Sequence, residues 1–419
     1  MSQLQPVRGT HDLLNDVMRK HRHIINRCLL LCERYGFNEI KTPIFEFSDV
    51  FLRTLGETSD IVSKEMYTFL DKGGDSISLR PEGTAGVVRA FISEGLTHQL
   101  PLKLFYEGPM FRYERPQKGR YRQFYQIGVE LLGVENPDAD VEVISLAELL
   151  LKELGVLSRV QLEINSIGDK ASRDTFRKEL VNYYKKHEKS LSEESLRRLL
   201  INPMRILDSK DRADIAINQN APQLEHFLNP LSKEKFTHIQ KALDDLKINY
   251  KINPRLVRGL DYYCHLVFEF RTTELGSQDA VLSGGRYDGL SEIMGGAQTP
   301  AVGWAAGVER LSLLIPTELP TKRPISLIPL GDAAEGVCRE LAHQLRSQGF
   351  AIDMAHSGNM SNRMKKATKQ NAVAAIIIGD NELQSGDYTL KILDTGAQLK
   401  VKKADLAKRL NASFSHYIS

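Results

Sequence analysis

The sequence predicts an α+β fold in which a strand-rich body is interrupted by a helical insertion and followed by a separate α/β domain. Two strand-like segments flank a turn at 113–122 and predict an antiparallel hairpin. Residues 170–250 are helix-like, rich in Lys and Glu and poor in Gly. Beyond the prolines at 316–324, short apolar runs alternate with helical patterns, which is typical of an α/β domain.

These observations divide the 419 residues into four segments. We expect the body to comprise 1–169 and 251–318, with the helical insertion at 170–250 between its two parts. The tail domain is expected at 325–419. Pro316, Pro320 and Pro324 predict a semi-rigid connector before the tail, because closely spaced prolines cannot continue a helix.

Local signals place the elements of the tail and the start of two helices. Strands and helices are expected to alternate in the tail at 325–330, 333–348, 350–355, 359–370 and 372–378. Two further strands flank Thr395-Gly396, a last helix follows, and we predict a largely parallel core. Ser190 with Glu193 predicts a capping box in the insertion, and Thr84 is the expected N-cap of a helix from Ala85.

Composition excludes several classes of protein. Hydrophobic residues make up 42% and charged residues 26% of the chain, as in globular proteins. The apolar run 373–378 is far shorter than the roughly 20 residues of a membrane helix, and the N-terminal segment has no apolar stretch of a signal peptide. We therefore expect a cytoplasmic protein with no membrane partner.

The four cysteines fit that expectation. Cys28, Cys32, Cys264 and Cys338 do not form the pattern of a disulfide framework, which favours a reducing compartment. His21 and His23 lie near the first two cysteines, so a metal site is conceivable. Their spacing matches no zinc pattern, and the surface of a helix is the preferred interpretation.

Charge is distributed unevenly along the chain. Residues 321–419 carry 14 Lys and Arg against 9 Asp and Glu, a net charge of +5, and the first 320 residues carry −2. A basic tail domain favours a polyanionic partner. The alternative is an ordinary solvated surface, since such a charge is common in domains that bind nothing.

The densest polar cluster is the predicted hairpin. Five positive residues and one carboxylate lie within 112–122, between strand-like segments at 102–112 and 123–132. A solvated hairpin tip is one interpretation. The alternation of the second strand favours another, because its core face is apolar and its other face carries Phe124, Gln126, Gly128 and Glu130. Such a face suits a pocket floor, with Gly128 leaving space, and Arg112 beside it suits a phosphate or carboxylate.

Further clusters are weak when taken singly. The segments 78–85, 255–263 and 283–289 combine arginines with glycines, which allow a close approach to a ligand but are equally common in plain turns and loops. The segment 301–310 reads as a strand followed by a helix. The small residues of this strand are Ala301, Gly303, Ala305 and Gly307. They would either leave a flat surface that a purine ring could cover or pack closely against another strand.

Two further features of the sequence indicate how an anionic ligand would be held. Arg310 falls in the first turn of the predicted helix, where it opposes the helix dipole, so an anionic ligand would explain it. The chain has neither a P-loop motif nor a dinucleotide-binding glycine motif after a strand. A nucleotide would therefore be held by arginines and a sheet.

Taken together, the clusters resemble the class II aminoacyl-tRNA synthetases, and among them the histidyl-tRNA synthetases. The three class motifs correspond to 35–44, 111–130 and 303–310, and two segments are similar to signatures of the histidine enzymes, 256–263 and 283–289. The resemblance spans the whole chain. One departure is Ala305, which replaces the middle glycine of the third motif and still leaves room for a base.

The resemblance implies a catalytic antiparallel sheet flanked by helices, a helical insertion and a C-terminal anticodon-binding domain. It implies a homodimer built partly on the first motif. It also implies that L-histidine attacks the α-phosphorus of ATP to give histidyl-adenylate and pyrophosphate, and that histidine tRNA then accepts the histidyl group. Mg²⁺ is expected to be held mainly by ATP, without a protein metal site.

The resemblance also implies roles for individual residues. The catalytic arginines would be Arg258 and Arg112 on the α-phosphate. ATP would also contact Glu114, Arg120, Phe124 and Arg310. Histidine would contact Glu82, Thr84, Gln126, Glu130, Tyr262 and Tyr263. The acceptor end of the tRNA would contact Arg115 and Gln117.

Two rival functions remain at this point. A non-catalytic regulatory paralogue would share the synthetase fold but lack the tail domain and the catalytic arginine, and this sequence has both. A class II synthetase for another amino acid is the second rival. Glu130 and the segment 261–263 argue against it.

Overall fold

The protein forms two compact units, Met1–Thr317 and Glu318–Ser419. This computed structural model describes residues 3–56, 59–258, 260, 262–276, 279–315, 319 and 323–414. Pro316 and Pro320 of the predicted connector lie outside the described residues. The division of the chain into four segments stays a prediction.

The first unit contains three groups of elements. Its strands are β1 (Asn38–Glu39), β2 (Phe45–Phe47), β3 (Tyr67–Leu70), β4 (Ser76–Leu79), β5 (Leu102–Phe111), β6 (Gln123–Leu132), β7 (Gln161–Ser166), β8 (Tyr250–Ile252), β9 (Cys264–Arg271), β10 (Ala280–Arg286) and β11 (Ala301–Gly307). The helices outside the insertion are α1 (Asn15–Arg34), α2 (Asp49–Leu55), α3 (Thr84–Ser93), α4 (Asp138–Glu153), α9 (Leu290–Ile293) and α10 (Val308–Leu314). The insertion contributes α5 (Lys170–Lys185), α6 (Glu193–Ile201), α7 (Arg212–Asn218) and α8 (Pro230–Asp245).

A large sheet organises this unit and confirms the predicted fold class. Its strand order is β1-β5-β6-β11-β10-β9-β7-β8. The six strands from β5 to β7 pair antiparallel, and only the edge pairs β1–β5 and β7–β8 are parallel. Helices pack against the sheet; the indole N–H of Trp304 on β11, for example, donates a 2.9 Å hydrogen bond to the carbonyl of Val143 on α4.

The predicted core face of β6 is confirmed, whereas its other face is open only in the first half of the strand, because Glu130 is also fully buried. Ile127, Val129 and Leu131 are buried in the core, with 0–1% of their surface exposed. Because successive strand residues point to opposite faces, this orientation turns Phe124 and Gln126 to the other side of the sheet. The hairpin β5–β6 therefore supplies both a core layer and a polar face.

Two predicted helix starts are wrong. Helix α6 begins after Ser192, whose hydroxyl accepts from the backbone N–H of Ser195 at 3.2 Å, so Ser190 and Glu193 do not form its cap. Helix α3 begins at Thr84 itself. Its first turn is capped from Glu82, whose carboxylate accepts the N–H groups of Thr84 and Ala85 at 2.8 and 2.7 Å.

The expectation of a helix surface around Cys28 and Cys32 is also wrong. Both cysteines lie on the buried face of α1, with their sulfurs 3.9 Å apart. His21 is buried on the same helix, and its ring packs edge-on against Tyr125. These side chains belong to the packing of α1 on the body.

A second, small sheet lies outside the large one. Its strand order is β2-β4-β3, and both pairs are antiparallel. It leaves large apolar side chains exposed: Phe45, Phe47, Phe69 and Leu70. Such a surface is typical of an interface with another molecule.

The second unit alternates strands and helices as predicted. Its elements are β12 (Ile325–Pro329), α11 (Asp332–Ser347), β13 (Ile352–Met354), α12 (Met360–Lys369), β14 (Ala374–Ile378), α13 (Asp380–Ser385), β15 (Asp387–Ile392), β16 (Gln398–Lys402) and α14 (Leu406–Phe414). The strand order is β13-β12-β14-β15-β16, and β15 and β16 are antiparallel. The parallel core is therefore limited to three strands, and the short helix α13 was missed.

Among the described residues, no helix has the length and apolar character needed to cross a membrane.

Candidate active site

A cavity of about 330 Å³ lies on the polar face of the large sheet. The segments that close it come from the ends of β4 and β5, the start of β6 and the residues before β9. Most of the predicted site residues line it: Glu82, Thr84, Arg112, Glu114, Arg120, Phe124, Gln126, Arg258, Tyr262, Tyr263 and Arg310. Glu130, Arg115 and Gln117 do not line it, and the last two are exposed.

One row of residues runs across neighbouring strands, and its members Ala305, Ser283 and Glu269 line the cavity. Tyr106, Gly128, Ala305, Ser283 and Glu269 are successive partners in the register of β5, β6, β11, β10 and β9. The space expected above Gly128 is occupied, because a Cβ there would lie 2.4 Å from the ring of Tyr106. The prediction that Gly128 leaves room for a ligand is therefore wrong.

The small residues of β11 divide into two pairs. Ala305 and Gly307 line the cavity and leave its floor open. A Cβ at Gly303 would instead lie 2.3 Å from the carbonyl oxygen of Val129 and would overlap the Glu130 carboxylate. Gly303 thus allows β6 and the buried Glu130 carboxylate to lie close to β11. Only Ala305 and Gly307 of the expected flat surface therefore face the cavity.

Gly284 and Gly285 of the segment 283–289 also serve packing. A Cβ at Gly284 would lie 2.2 Å from the carbonyl oxygen of Gly303, and one at Gly285 would lie 2.5 Å from that of Leu266. Arg286 in the same segment is buried and ion-paired with Asp140 and Asp288. This segment fixes the strands behind the cavity, and only Ser283 reaches it.

Arg112 is held in place before any ligand arrives. Its Nε donates to the carbonyl of Pro81 at 2.9 Å, and its guanidinium lies 5.3 Å from the centre of the Phe124 ring. Burial lowers its pKa, but a guanidinium stays protonated at any working pH. Glu114 is buried beside it and pairs with Arg120. A fixed cation therefore faces the cavity.

Arg258 also lines the cavity and is held by Ser283, from the segment 283–289, and by Glu269, which no sequence motif indicated. It donates to the carboxylate of Glu269 and, at 2.9 Å, to the hydroxyl of Ser283. Glu269 lies on a regularly alternating strand, so its position on the cavity face could have been read from that alternation. Gly259 and Asp261 of the same motif lie outside the described residues.

Acceptors for a cation line the same cavity as the two arginines. Glu82 and Thr84 line the cavity, and burial raises the pKa of Glu82. Gln126 also lines it, and among the described residues its Oε1 is buried without a hydrogen-bond partner. An unsatisfied buried carbonyl is costly, so a donor from a ligand would stabilise this site.

Glu130 lies behind the cavity and is fully buried. One oxygen accepts from the Thr84 hydroxyl at 2.7 Å, and the other accepts from the Tyr287 hydroxyl. Burial raises the pKa of Glu130 to about 8, and these two hydrogen bonds offset part of that effect. The carboxyl group is thus fixed in orientation and costly to ionise.

A second cationic corner is formed by Arg310 and Arg120, which both line the cavity. Burial and the neighbouring Arg120 lower the pKa of Arg310. Two adjacent guanidiniums favour an anion between them. Glu309, which lies in the segment 301–310 but was given no role from the sequence, fixes the helix start, since its carboxylate oxygens both lie 3.0 Å from the backbone N of Tyr125.

Comparison with known proteins agrees with this geometry. Residues 9–311 match the family profile described as histidyl-tRNA synthetase, and residues 325–413 match the one described as anticodon binding domain. The chain belongs to the histidyl-tRNA synthetase family.

Individual members of the family cover nearly the whole chain. A histidine–tRNA ligase of Rhodospirillum rubrum is 55% identical over 98% of this chain and 99% of that protein. A histidine–tRNA ligase of Gluconobacter oxydans is 50% identical over 98% of this chain and 99% of that protein. The apo histidyl-tRNA synthetase of S. aureus superposes with a TM-score of 0.81 at 35% identity, covering 97% of this chain and 99% of that one.

The buried carboxyl group of Glu130 generates a pH-dependent stability. Its pKa is 4.5 in the ordinary state and about 8 when folded, so its contribution to stability is fully present below pH 4.5 and lost as the pH rises to about 8. Between about pH 5 and 8, E130Q should therefore gain on the order of 3 kcal/mol relative to the wild type. Denaturant unfolding of both proteins across this range measures the difference.

The comparison isolates Glu130 because Glu309, whose pKa burial raises to about 7, is present in both proteins. A difference between the two unfolding free energies that does not change with pH would contradict the assigned protonation.

Proposed function

We propose that this chain joins L-histidine to histidine tRNA in two steps at the cavity described above. ATP and histidine first give histidyl-adenylate and pyrophosphate, and the tRNA then accepts the histidyl group with release of AMP. The observation that carries the proposal is that Arg112 and Arg258 line one cavity together with Glu82 and Gln126, in a chain of this family.

The first step needs fixed positive charge. When the carboxylate of histidine attacks the α-phosphorus of ATP, negative charge develops on the phosphoryl oxygens. Arg112 and Arg258 are the proposed donors to that charge, and their partners in the protein hold them in position. Donors that need not reorganise during the reaction lower its barrier most.

The remainder of ATP would occupy the neighbouring surfaces. We place the adenine over Phe124 and the small residues Ala305 and Gly307, and the outer phosphates between Arg120 and Arg310. Glu114 would remain at the edge of this nucleotide site, paired with Arg120. Stacking of a base on an aromatic ring and guanidinium contacts with phosphate are both favourable.

Histidine would lie between the acceptors and the tyrosines. Glu82, Thr84 and Gln126 are proposed to receive the substrate ammonium, which agrees with the unpartnered oxygen of Gln126. Tyr263 would meet one imidazole nitrogen, and Tyr262 would close the same wall. Glu130 lies behind the cavity, so it would reach the other imidazole nitrogen by exchanging its hydrogen bond from the Thr84 hydroxyl for one from the ring. A pocket built on hydrogen bonds rejects analogues that lack them.

Magnesium belongs to the nucleotide in this proposal. Two of the acidic side chains that line the cavity, Glu114 and Glu269, are already paired with arginines. The residues therefore fit an ion that ATP itself carries and that neutralises phosphate charge when bound.

Transfer RNA would contact both units. Arg115 and Gln117 are exposed at the turn between β5 and β6 and are proposed to meet the acceptor end. In the tail, Arg363 donates to the carbonyls of Gly358 and Pro329, so it serves the fold of that unit. Lys365 and Lys369 are exposed on the same helix and are the proposed anticodon-arm contacts.

We also propose that the chain acts as a homodimer in the cytoplasm. The exposed apolar side chains of β2 and β3, with Ile44 of the first class motif beside them, offer an interface for a second copy. The described cysteines are free thiols, which suits a reducing compartment where tRNA and ATP are available.

The function is tested by histidine-dependent exchange of pyrophosphate into ATP and by charging of histidine tRNA. E130Q should raise the KM for histidine and lower kcat/KM while leaving the KM for ATP nearly unchanged. E135Q, at an exposed carboxylate just after the same strand, is the matched control. No exchange with histidine would refute the function, and an unchanged KM for histidine in E130Q would refute the role of Glu130.

Removal of the Arg258 guanidinium should slow adenylate formation by about 10²- to 10³-fold, the usual effect of losing one preorganised donor. The KM values should change much less, and R258K should recover only part of the rate because lysine lacks the planar fork. Single-turnover kinetics of both steps in R258A and R258K provide the measurement.

Arg255 is the control for this experiment, because it is an exposed arginine three residues earlier. R255A should behave as the wild type. If R258A forms adenylate at the normal rate, or loses only substrate affinity, Arg258 is a binding or structural residue.

Charge reversal on α12 tests the tail. K365E/K369E should raise the KM for tRNA and weaken its dependence on salt, because fewer phosphate contacts release counterions. Histidine-dependent pyrophosphate exchange should not change. K408E/R409E reverses two exposed charges on α14 and serves as the control. Normal tRNA charging by K365E/K369E would exclude α12 from the tRNA contact.

A further inference from the structure

Three side chains of different chemical type meet away from the cavity lining. Cys264 begins β9, His265 follows it, and Asp288 lies just after β10. A sulfur, a ring nitrogen and a carboxylate oxygen, one from each residue, lie within 4.8 Å of one another. Cys264 is buried and the other two are partly buried. None of the three has a role in the reaction proposed above.

The backbone at His265 is strained in a way that brings its ring to this cluster. Its φ is +50°, a left-handed conformation that few residues other than glycine adopt. The register shifts here, since Gly285 pairs with Val267 but Arg286 pairs with Cys264. Such bulges redirect a side chain, and strain at a non-glycine residue is often associated with function.

Hydrogen bonds from the two residues that follow β7 hold this conformation. The N–H of His265 donates to the carbonyl of Gly168 at 2.8 Å, and its carbonyl accepts from the N–H of Ile167 at 2.7 Å. From helix α8, the hydroxyl of Ser232 lies 3.4 Å from Nδ1 of the ring. The position of His265 is therefore set by the body and the insertion together.

We propose that Cys264, His265 and Asp288 bind a Zn²⁺ ion. Thiolate, imidazole and carboxylate are the ligands that zinc takes in proteins. Ligand atoms on a tetrahedral zinc lie about 3.3–3.8 Å apart, given bonds of about 2.0–2.3 Å, so the cluster needs to contract by roughly 1 Å. Three protein ligands leave the fourth position to water.

The charges at the site suit a divalent cation. Zinc replaces the thiol proton of Cys264, which leaves to solvent, and the resulting thiolate and the Asp288 carboxylate balance the two positive charges. Arg286 also touches Asp288, at 3.1 Å, but its charge is already matched by buried Asp140. The backbone N–H of Asp288 donates to Cys264 Sγ at 3.3 Å, which would stabilise a thiolate.

The proposed ion would link the start of β9 to the end of β10. Tyr263, which lines the cavity, directly precedes Cys264. A bound metal would therefore restrain the chain segment that carries Tyr263 and Arg258. Because the ion binds the native state, it should raise the unfolding temperature of the protein.

Cobalt(II) provides the test, because it occupies zinc sites and reports its ligands by absorption. Full-length protein stripped with a chelator should bind one Co²⁺ per chain, with a thiolate-to-cobalt charge-transfer band and the intense visible bands of tetrahedral cobalt. Zinc should displace the cobalt and raise the unfolding temperature. Absence of the charge-transfer band in the wild type would overturn the proposal.

Variants identify the ligands. C264S should abolish the charge-transfer band, and H265N should weaken binding by more than about 100-fold, since even indirect partners of a metal site cost 10- to 100-fold. Asparagine is chosen because it tolerates a left-handed backbone. C338S, at a buried cysteine of the second unit, should bind as the wild type does.

Each variant outcome decides the matter. A band that survives in C264S, or one that disappears in C338S, places the metal elsewhere and refutes the site. Should C264S fail to fold in chelator, H265N decides alone, and wild-type cobalt affinity in H265N would refute the proposal.

Discussion

The buried ion pair between Arg286 and Asp140 is the interaction on which the first unit depends most. Both side chains are 1% exposed, and Nε of Arg286 lies 3.1 and 3.0 Å from the two carboxylate oxygens. The same guanidinium donates to the carbonyl of Val134 and to Asp288, and Asp288 in turn accepts from the N–H of Ala301. One arginine thereby joins α4 to the ends of β6 and β10 and to the start of β11. Removing either partner of such a pair leaves an uncompensated buried charge, at a cost of about 3–5 kcal/mol.

The proposed reaction depends on charges that are costly to bury and are therefore already paired. Arg258 is held by Glu269 and Ser283, and Arg112 by a backbone carbonyl and an aromatic face. These partners keep the guanidiniums directed into the cavity without a ligand. Burying these arginines thus lowers the stability of the fold, and in return they stabilise the negative charge that develops on ATP in the proposed reaction.

Much of the fold could be predicted because the spacing of apolar residues along the sequence indicates which faces of strands and helices are buried. The alternation of β6 identified its core face, and the strand–helix pattern identified the tail. The role of a glycine could not be predicted this way. Gly128 and Gly303 read as gaps for a ligand, but their space is taken by Tyr106 and Glu130 from neighbouring strands. Sequence spacing along one strand does not show which side chain approaches from the next.

The remaining differences have a similar origin. Thr84 reads as a helix cap, but its hydroxyl is committed to Glu130, 46 residues away in sequence, and Glu82 caps the helix instead. The alternation of its strand could have placed Glu269 on the cavity face, but its pairing with Arg258 depends on the tertiary fold. The candidate site could therefore be listed from motifs, whereas the contacts that hold its arginines required the register of five strands.

The junction between β11 and α10 limits how this sequence can vary. The strand ends at Gly307 and the helix begins at Val308, with no residue between them. A single deletion within β11 would exchange its two faces, placing Trp304 over the cavity. A single insertion in the first turn of α10 would rotate Arg310 by about 100° around the helix axis. Length changes are therefore expected to be excluded from this stretch, even where substitutions such as Ala305 are accepted.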